Sequence, residues 1–170
     1  LKRYVDCARM YSADVVVRIT ADCPLLDPTT SHEVLRCFLD HKPAAAALSG
    51  DFPDGLDTQV FHIETLEDAN ERASRTSDRE HVGAYIERNP ERYPLLEVKV
   101  WAGMLDFRFT LDEPSDYLAL KRVFALIGDT IFGFSKVVEL LQLYPEILDT
   151  NRGIIRNEGF LEALQKELDE

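Results

Sequence analysis

Val15–Pro28, reading Val-Val-Val-Arg-Ile-Thr-Ala-Asp-Cys-Pro-Leu-Leu-Asp-Pro, restricts the folds open to this chain more than any other stretch. Val15, Val16, Val17 and Ile19 make a compact β-branched run, the pattern of a strand buried on both faces of a sheet. The run breaks at Asp22 and Pro24 into a short loop, and a helix restarts at Asp27-Pro28. Asp27 can accept a hydrogen bond from a free N–H of the first turn, and Pro28 suits a first helical position, where no N–H is needed. Ligands of open α/β sheets sit just past the carboxyl ends of strands, which makes Asp22 the first candidate residue.

A second stretch echoes the first. Arg18-Ile19-Thr20-Ala21-Asp22 has the spacing of Arg108-Phe109-Thr110-Leu111-Asp112. If both are extended, a side-chain period of two puts Arg, Thr and Asp on one side of each. Phe107, Phe109 and Leu111 then take the opposite side, and Pro114 opens a helix. As neighbouring strands, the two copies would bring Asp22 and Asp112 to one sheet edge. Two converging carboxylates form a hard, oxygen-rich site of the kind that holds Mg²⁺ or Mn²⁺ beside phosphates. The plainer alternative is that Asp22 stabilises a turn and Asp112 caps the helix after Pro114.

A length of 170 residues suits a single domain, 1–170, with one core. A net charge of −12 argues against a nucleic-acid surface, which needs clustered Lys and Arg, but leaves room for a nucleotide met by metal and a few local arginines. Cys7, Cys23 and Cys37 are odd in number and lack Cys-x-x-Cys spacing, so a reducing cytoplasm is the expectation. No apolar run reaches membrane-spanning length and no secretory signal is visible, so no membrane partner is expected. The chain opens at Leu1, without Met, in a helix that leads straight into the Val15 strand. That is the second half of a strand–helix–strand unit, and the expectation is a piece of something longer.

Along the chain, the pattern predicts a helix over Pro28–His41 with Val34, Leu35, Phe38 and Leu39 inward, and a strand at Ala44–Leu48. Gly50–Asp57 is a loop carrying three carboxylates, followed by a strand at Thr58–Ile63 and a helix over Glu64–Ala73. A helix over Thr76–Glu87, capped by Thr76 or Ser77, precedes strands at Leu95–Val100 and Asp106–Leu111. Helices over Pro114–Ile127, with Tyr117, Leu118, Leu120, Val123, Phe124 and Ile127 as its apolar side, over Phe134–Leu143 and over Gly159–Leu168 complete the reading. Strands alternating with helices give an α/β fold with a largely parallel sheet.

Other residues carry two readings each. Asp54, Gly55 and Asp57 belong either to a ligand-contacting flap or to an ordinary Asp-Gly turn. Arg79, Glu80 and His81 place a cation, an anion and an imidazole together, or form a solvated helix start. His32, His41 and His62 are scattered and unpartnered, and read as surface or helix-end residues. Arg152, Arg156, Asn157 and Glu158 are either a tail folded over a site or a solvated tail, the latter being the default. No glycine-rich phosphate loop or nucleophile elbow is present, so covalent catalysis has no support.

Five blocks now stand in order: Val16–Leu25, Phe52-Pro53-Asp54-Gly55-Leu56-Asp57, Arg79-Glu80-His81-Val82, Arg108-Phe109-Thr110-Leu111-Asp112-Glu113-Pro114-Ser115-Asp116 and Arg156-Asn157-Glu158-Gly159-Phe160. Together they resemble the spore-coat polysaccharide biosynthesis F-type cytidylyltransferases, relatives of the CMP-sialate (acylneuraminate) and CMP-Kdo synthetases. The resemblance implies a Rossmann-like nucleotide-diphospho-sugar transferase fold with a mixed, mostly parallel sheet. It also implies a reaction in which a sugar or sugar-acid hydroxyl attacks CTP to give a CMP-sugar and pyrophosphate, for surface polysaccharide biosynthesis. By that resemblance Asp22 and Asp112 hold Mg²⁺ or Mn²⁺, and Arg18 and Arg108 orient those carboxylates or meet a phosphate. Asp54, Gly55, Asp57, Arg79, Glu80 and His81 line the sugar side.

The family opens with a strand and a Gly-rich loop carrying Arg and Lys, which cradles the triphosphate and reads the base; nothing here matches it. The expectation is therefore a domain truncated at its N-terminal side, holding the metal and sugar half. A rival reading is a non-catalytic sugar-binding or assembly module, with an exposed apolar sheet edge that a homodimer would cover. A Mg²⁺-dependent phosphatase-type domain ranks last, for want of an early nucleophilic Asp motif.

Overall fold

A computed structural model describes residues 1–159, 161, 165 and 166. The elements run α1 (Lys2–Met10), β1 (Val15–Arg18), α2 (Pro28–His41), β2 (Ala45–Leu48), β3 (Gln59–His62), α3 (Ile63–Arg72), α4 (Thr76–Glu80), α5 (Ala84–Glu87), β4 (Leu95–Val98), α6 (Pro114–Ile127) and α7 (Phe134–Leu143), then a 3₁₀ turn, Pro145–Ile147. The four strands form one sheet in the order β1-β3-β2-β4.

The sheet is mixed, as expected, and its parallel pairing is confined to β2 with β4, where Ala45 faces Leu95 and Leu48 faces Val98. β3 runs antiparallel to both β1 and β2. The cause lies in the connections. The stretch between β2 and β3 contains no helix, and a chain that returns without a crossover must reverse direction, whereas α3, α4 and α5 supply the crossover that β4 needs.

Alternation along the strands divides the core between two faces. Ala46 and Val60 join Val34 and Phe38 of α2, Leu120 and Val123 of α6, and Val137 and Leu140 of α7. Ala45 and Phe61 point the other way, into a cluster with Leu1, Val5, Leu66, Ala69 and Ile86. Every residue of β2 is buried, so the central strand is covered on both sides.

Several sequence expectations change. β1 is an edge strand, not one buried on both faces, with Val17 41% and Ile19 48% exposed. A β-branched run reports strand propensity and is silent about neighbours; among the described residues only β3 pairs with it. The predicted strand over Asp106–Leu111 does not join the sheet, because its backbone pairs with the acidic loop through a single parallel bridge, Asp54 with Arg108. The predicted helix over Thr76–Glu87 divides into α4 and α5, since the backbone at His81 turns extended, and neither Thr76 nor Ser77 caps it. Leu39, Tyr117 and Leu118 face outward. A capping box of Glu113 and Asp116 sets the rotation of α6 so that Asp116, Ala119, Leu120 and Val123 point inward instead. The predicted helix over Gly159–Leu168 lies mostly outside the described residues. Among the described residues no helix is long and apolar enough to cross a membrane.

Asp27 does more than its predicted capping. One carboxylate oxygen accepts from the Thr30 amide at 2.8 Å and the Thr30 hydroxyl at 2.6 Å, and the other accepts from the Phe134 amide at 3.2 Å. A single buried side chain therefore serves the first turns of α2 and α7 together. Asp27→Ala removes a cap and orphans a buried N–H; a loss of about 2–4 kcal/mol in urea unfolding is expected. A loss no larger than an ordinary surface substitution would refute this role.

Candidate active site

The site is built around Arg108, whose guanidinium is buried among three carboxylates. Its Nε and one terminal nitrogen each donate at 3.0 Å to Asp116, the other terminal nitrogen donates at 2.9 Å to Asp54, and a further bond of 2.9 Å reaches Asp112. Asp116 is fully buried and also accepts from the amides of Asp112 and Glu113 and from the Asn151 side chain. Burial pushes the Asp116 carboxyl up, but the bonds from Arg108, Asn151 and the two amides outweigh it and hold the group below the usual range. Asp54 is shifted the other way: burial, with Asp57 and Asp112 nearby, raises it against the pull of Arg156 and Arg108.

Gly55 makes this packing possible. It has a φ of +96°, and a Cβ there would lie 2.6 Å from the Phe109 carbonyl carbon. Paired amide bonds of 2.8 Å, Asp54 to Phe107 and Phe109 to Asp54, press the loop onto the Arg108 segment.

The two echoed motifs do meet, although not as sheet neighbours. The Leu111 amide donates to the Asp22 carbonyl at 2.8 Å. Asp22 and Asp112 line one cavity of about 420 Å³, together with Thr20, Cys23, Thr110 and the tail at Ile154–Ile155. Among the described residues, the bonds to the Asp112 carboxylate, from Arg108 and Thr110, fall on Oδ2 and leave Oδ1 available. Helix α6 is capped by Glu113, so Asp112 is not spent as a cap. Among the described residues, the Asp22 carboxylate meets only the Cys23 thiol, at 3.6 Å. That thiol is pushed up to about 12, first by burial and also by the Asp22 and Asp57 charges, which disfavours the thiolate.

The chemistry of these donors suits a small hard cation. Among the described residues, Asp22, Asp54, Asp57, Asp112, Glu113 and Glu158 line the cavity against two guanidinium groups, Arg18 and Arg108. Among the described residues no group of three metal-ligating side chains converges. Mg²⁺ takes one or two carboxylates and completes its shell with water and substrate phosphate, so two aspartates with free oxygens fit it.

A second cavity of about 570 Å³ adjoins the first, and Arg18, Asp57, His81 and Asn157 belong to both walls. Arg18 does not touch Asp22: it donates to Gln59 at 2.9 Å, and Gln59 donates in turn to Glu87 at 2.9 Å. The Arg18 Nε is buried without a partner. Arg79 and Glu80 are exposed at the end of α4 and line neither cavity, whereas His81, the next residue, lines both. Sequence reasoning passed over Gln59, Glu87 and Asn151, and gave Arg156 a solvated tail. Arg156 was legible through its place in the last motif block; Asn151 had no signal.

Removing Arg108 strands three carboxylates around a buried gap. Arg108→Met is expected to cost about 3–5 kcal/mol in chemical unfolding, while Arg122→Met, which breaks an exposed pair with Glu146, changes stability by less than about 1 kcal/mol. Equal small losses would show that the network carries no weight.

No family model matches the chain. An uncharacterized protein of Methanocaldococcus jannaschii is 31% identical over 167 residues, covering 91% of this chain and 64% of that protein. The spore coat polysaccharide biosynthesis protein SpsF of Bacillus subtilis is 25% identical over 150 residues, covering 86% of this chain and 62% of that protein. Among solved structures, a cytidylyltransferase from Leptospira borgpetersenii serovar Hardjo-bovis matches with a TM-score of 0.84 at 27% identity, over 91% of this chain and 66% of its own. The chain thus spans less than two thirds of the length of either curated relative. Its fold is that of the solved cytidylyltransferase, which it also resembles in sequence.

Proposed function

We propose that the chain carries the cation and acceptor half of a sugar-activating cytidylyltransferase. The observation that supports this most is the joining of the two Arg-x-Thr-x-Asp motifs by the Leu111–Asp22 backbone bond, which sets Asp22 and Asp112 on one cavity. Asp22 and Asp112 would hold Mg²⁺ or Mn²⁺. Bound there, the ion supplies charge neutralisation and Lewis-acid polarisation at the reacting phosphoryl group. Arg108 fixes the Asp112 carboxylate from behind, and Asp54 and Asp116 keep Arg108 in place.

The reaction is transfer of the cytidylyl group from CTP to a sugar or sugar acid. The acceptor hydroxyl oxygen bonds to the α-phosphorus, the bond to the β-phosphate oxygen breaks, pyrophosphate leaves and the hydroxyl proton is released. Phosphoryl chemistry of this kind rests on alignment and charge compensation more than on covalent participation by the protein. Arg18, which lines both cavities and bonds the neutral Gln59 side chain, is suited to an oxyanion of either substrate. The larger cavity, walled by Gln59, Glu87, Ser49, Thr58 and His81, offers the many hydrogen-bonding groups that a polyhydroxylated acceptor requires. Asp57 and the Gly55 turn form the flap between the cavities, and Arg79 and Glu80 have no part in this scheme.

A second reading is a non-catalytic sugar-binding or assembly module, favoured by one observation: the edge of β1 is open among the described residues and carries exposed Val17 and Ile19. A homodimer or an added strand would cover that edge.

Titration with Mn²⁺, followed by electron paramagnetic resonance, tests the cation site. One site is expected in the wild-type chain, weakened at least tenfold by Asp22→Ala and by Asp112→Ala. Equal affinity in all three removes the site. In the intact gene product, pyrophosphate release from CTP with a sugar acid is expected and should fall at least 100-fold in either variant. Sugar binding without any release from CTP would favour the second reading.

A further inference from the structure

The wall contributed by residues 151–159 has no part in the scheme above, yet it lines both cavities. Two side chains fasten it. Asn151 is buried and donates to the Arg108 carbonyl at 3.0 Å and to Asp116 at 2.8 Å. Arg156 lies with its guanidinium carbon 4.1 Å from the centre of the Phe52 ring, and donates to the Phe52 carbonyl at 3.0 Å and to Asp57 at 3.1 Å. Its Nε stands 3.6 Å from Asp54.

These contacts continue inward as an unbroken series. Arg156 faces one oxygen of Asp54, the other oxygen accepts from Arg108 at 2.9 Å, and Arg108 reaches Asp112 at 2.9 Å. Stacking on an aromatic face combined with planar, directed N–H groups is a task that suits arginine and not lysine. The neighbouring Arg152 provides the contrast: it is largely exposed and, among the described residues, pairs only with Asp149, three residues away.

We propose that Arg156 is a positioning residue for the cation site: it clamps the acidic loop 50–57 against the C-terminal wall and so holds Asp54, Arg108 and Asp112 in line. This rests on the reading of Asp22 and Asp112 as cation ligands. Charge alone predicts the opposite effect of removing it, because deleting a cation from an acid-rich cleft strengthens attraction for a divalent ion. The two accounts therefore differ in sign.

The experiment compares wild type, Arg156→Met, Arg156→Lys and Arg152→Met by Mn²⁺ titration and by amide hydrogen exchange, with circular dichroism verifying that each is folded. Arg156→Met is expected to bind Mn²⁺ about tenfold more weakly, the loss typical when a group supporting a metal ligand is removed. Arg156→Lys should recover only part of the affinity, and Arg152→Met should match wild type. Without Mn²⁺, the amides of Asp54 and Phe109, which bond across the loop, should exchange at least tenfold faster in Arg156→Met. Equal or tighter Mn²⁺ binding in Arg156→Met overturns the proposal. If wild type itself binds no Mn²⁺, the cation reading fails, and hydrogen exchange alone then decides the clamp: faster exchange upholds it and unchanged exchange overturns it.

Discussion

A guanidinium buried among carboxylates is expensive to desolvate and keeps its place only when its N–H groups are met. Arg108 meets that condition with Asp54 from the loop after β2, Asp112 from the turn before α6 and Asp116 from the first turn of α6 itself. Two segments far apart in the chain, the acidic loop at Asp54 and residues 108–116, are therefore obliged to gather at one point. Asn151 fills the remaining bond to Asp116 and brings the C-terminal segment with it. The cleft is a consequence of this gathering: its floor is the pair of joined motifs, and its walls are the acidic loop and the tail.

The same arrangement accounts for the electrostatic character of the cleft. Arg108 and Arg156 are both committed to carboxylates of the protein, and Asp22 and one oxygen of Asp112 are left over. A triphosphate entering such a space meets excess negative charge unless a divalent cation precedes or accompanies it. Arg18 stands apart from the network: it lines both cavities, donates to the neutral Gln59 side chain and acts on the Glu87 carboxylate through its charge.

Much of this was legible in the sequence, for identifiable reasons. The boundaries of α2 follow from Asp27 and Pro28, because capping is a local interaction between residues three apart. The echo of Arg-x-Thr-x-Asp correctly paired two distant segments, since similar chemistry at similar spacing survives the difference in their secondary structure. It misplaced the second copy in the sheet, because alternation describes an extended backbone and says nothing about which strand accepts its hydrogen bonds. The outward turn of Tyr117 and Leu118 was hidden for a related reason: apolar residues surround much of α6, and a buried polar group, Asp116, decides its rotation. Arg156 was legible as part of a motif block, but its contacts were not. In sequence it sits among polar neighbours typical of a solvated tail, and its partners Phe52, Asp54 and Asp57 lie about a hundred positions away.

Anomalous diffraction at the manganese edge from crystals grown with Mn²⁺ tests the convergence of the two aspartates most directly. A single peak bounded by the Asp22 and Asp112 carboxylates, in the cavity they share, is the predicted result. Ordered carboxylates with no peak between them, or manganese bound elsewhere in the cleft, would contradict the account.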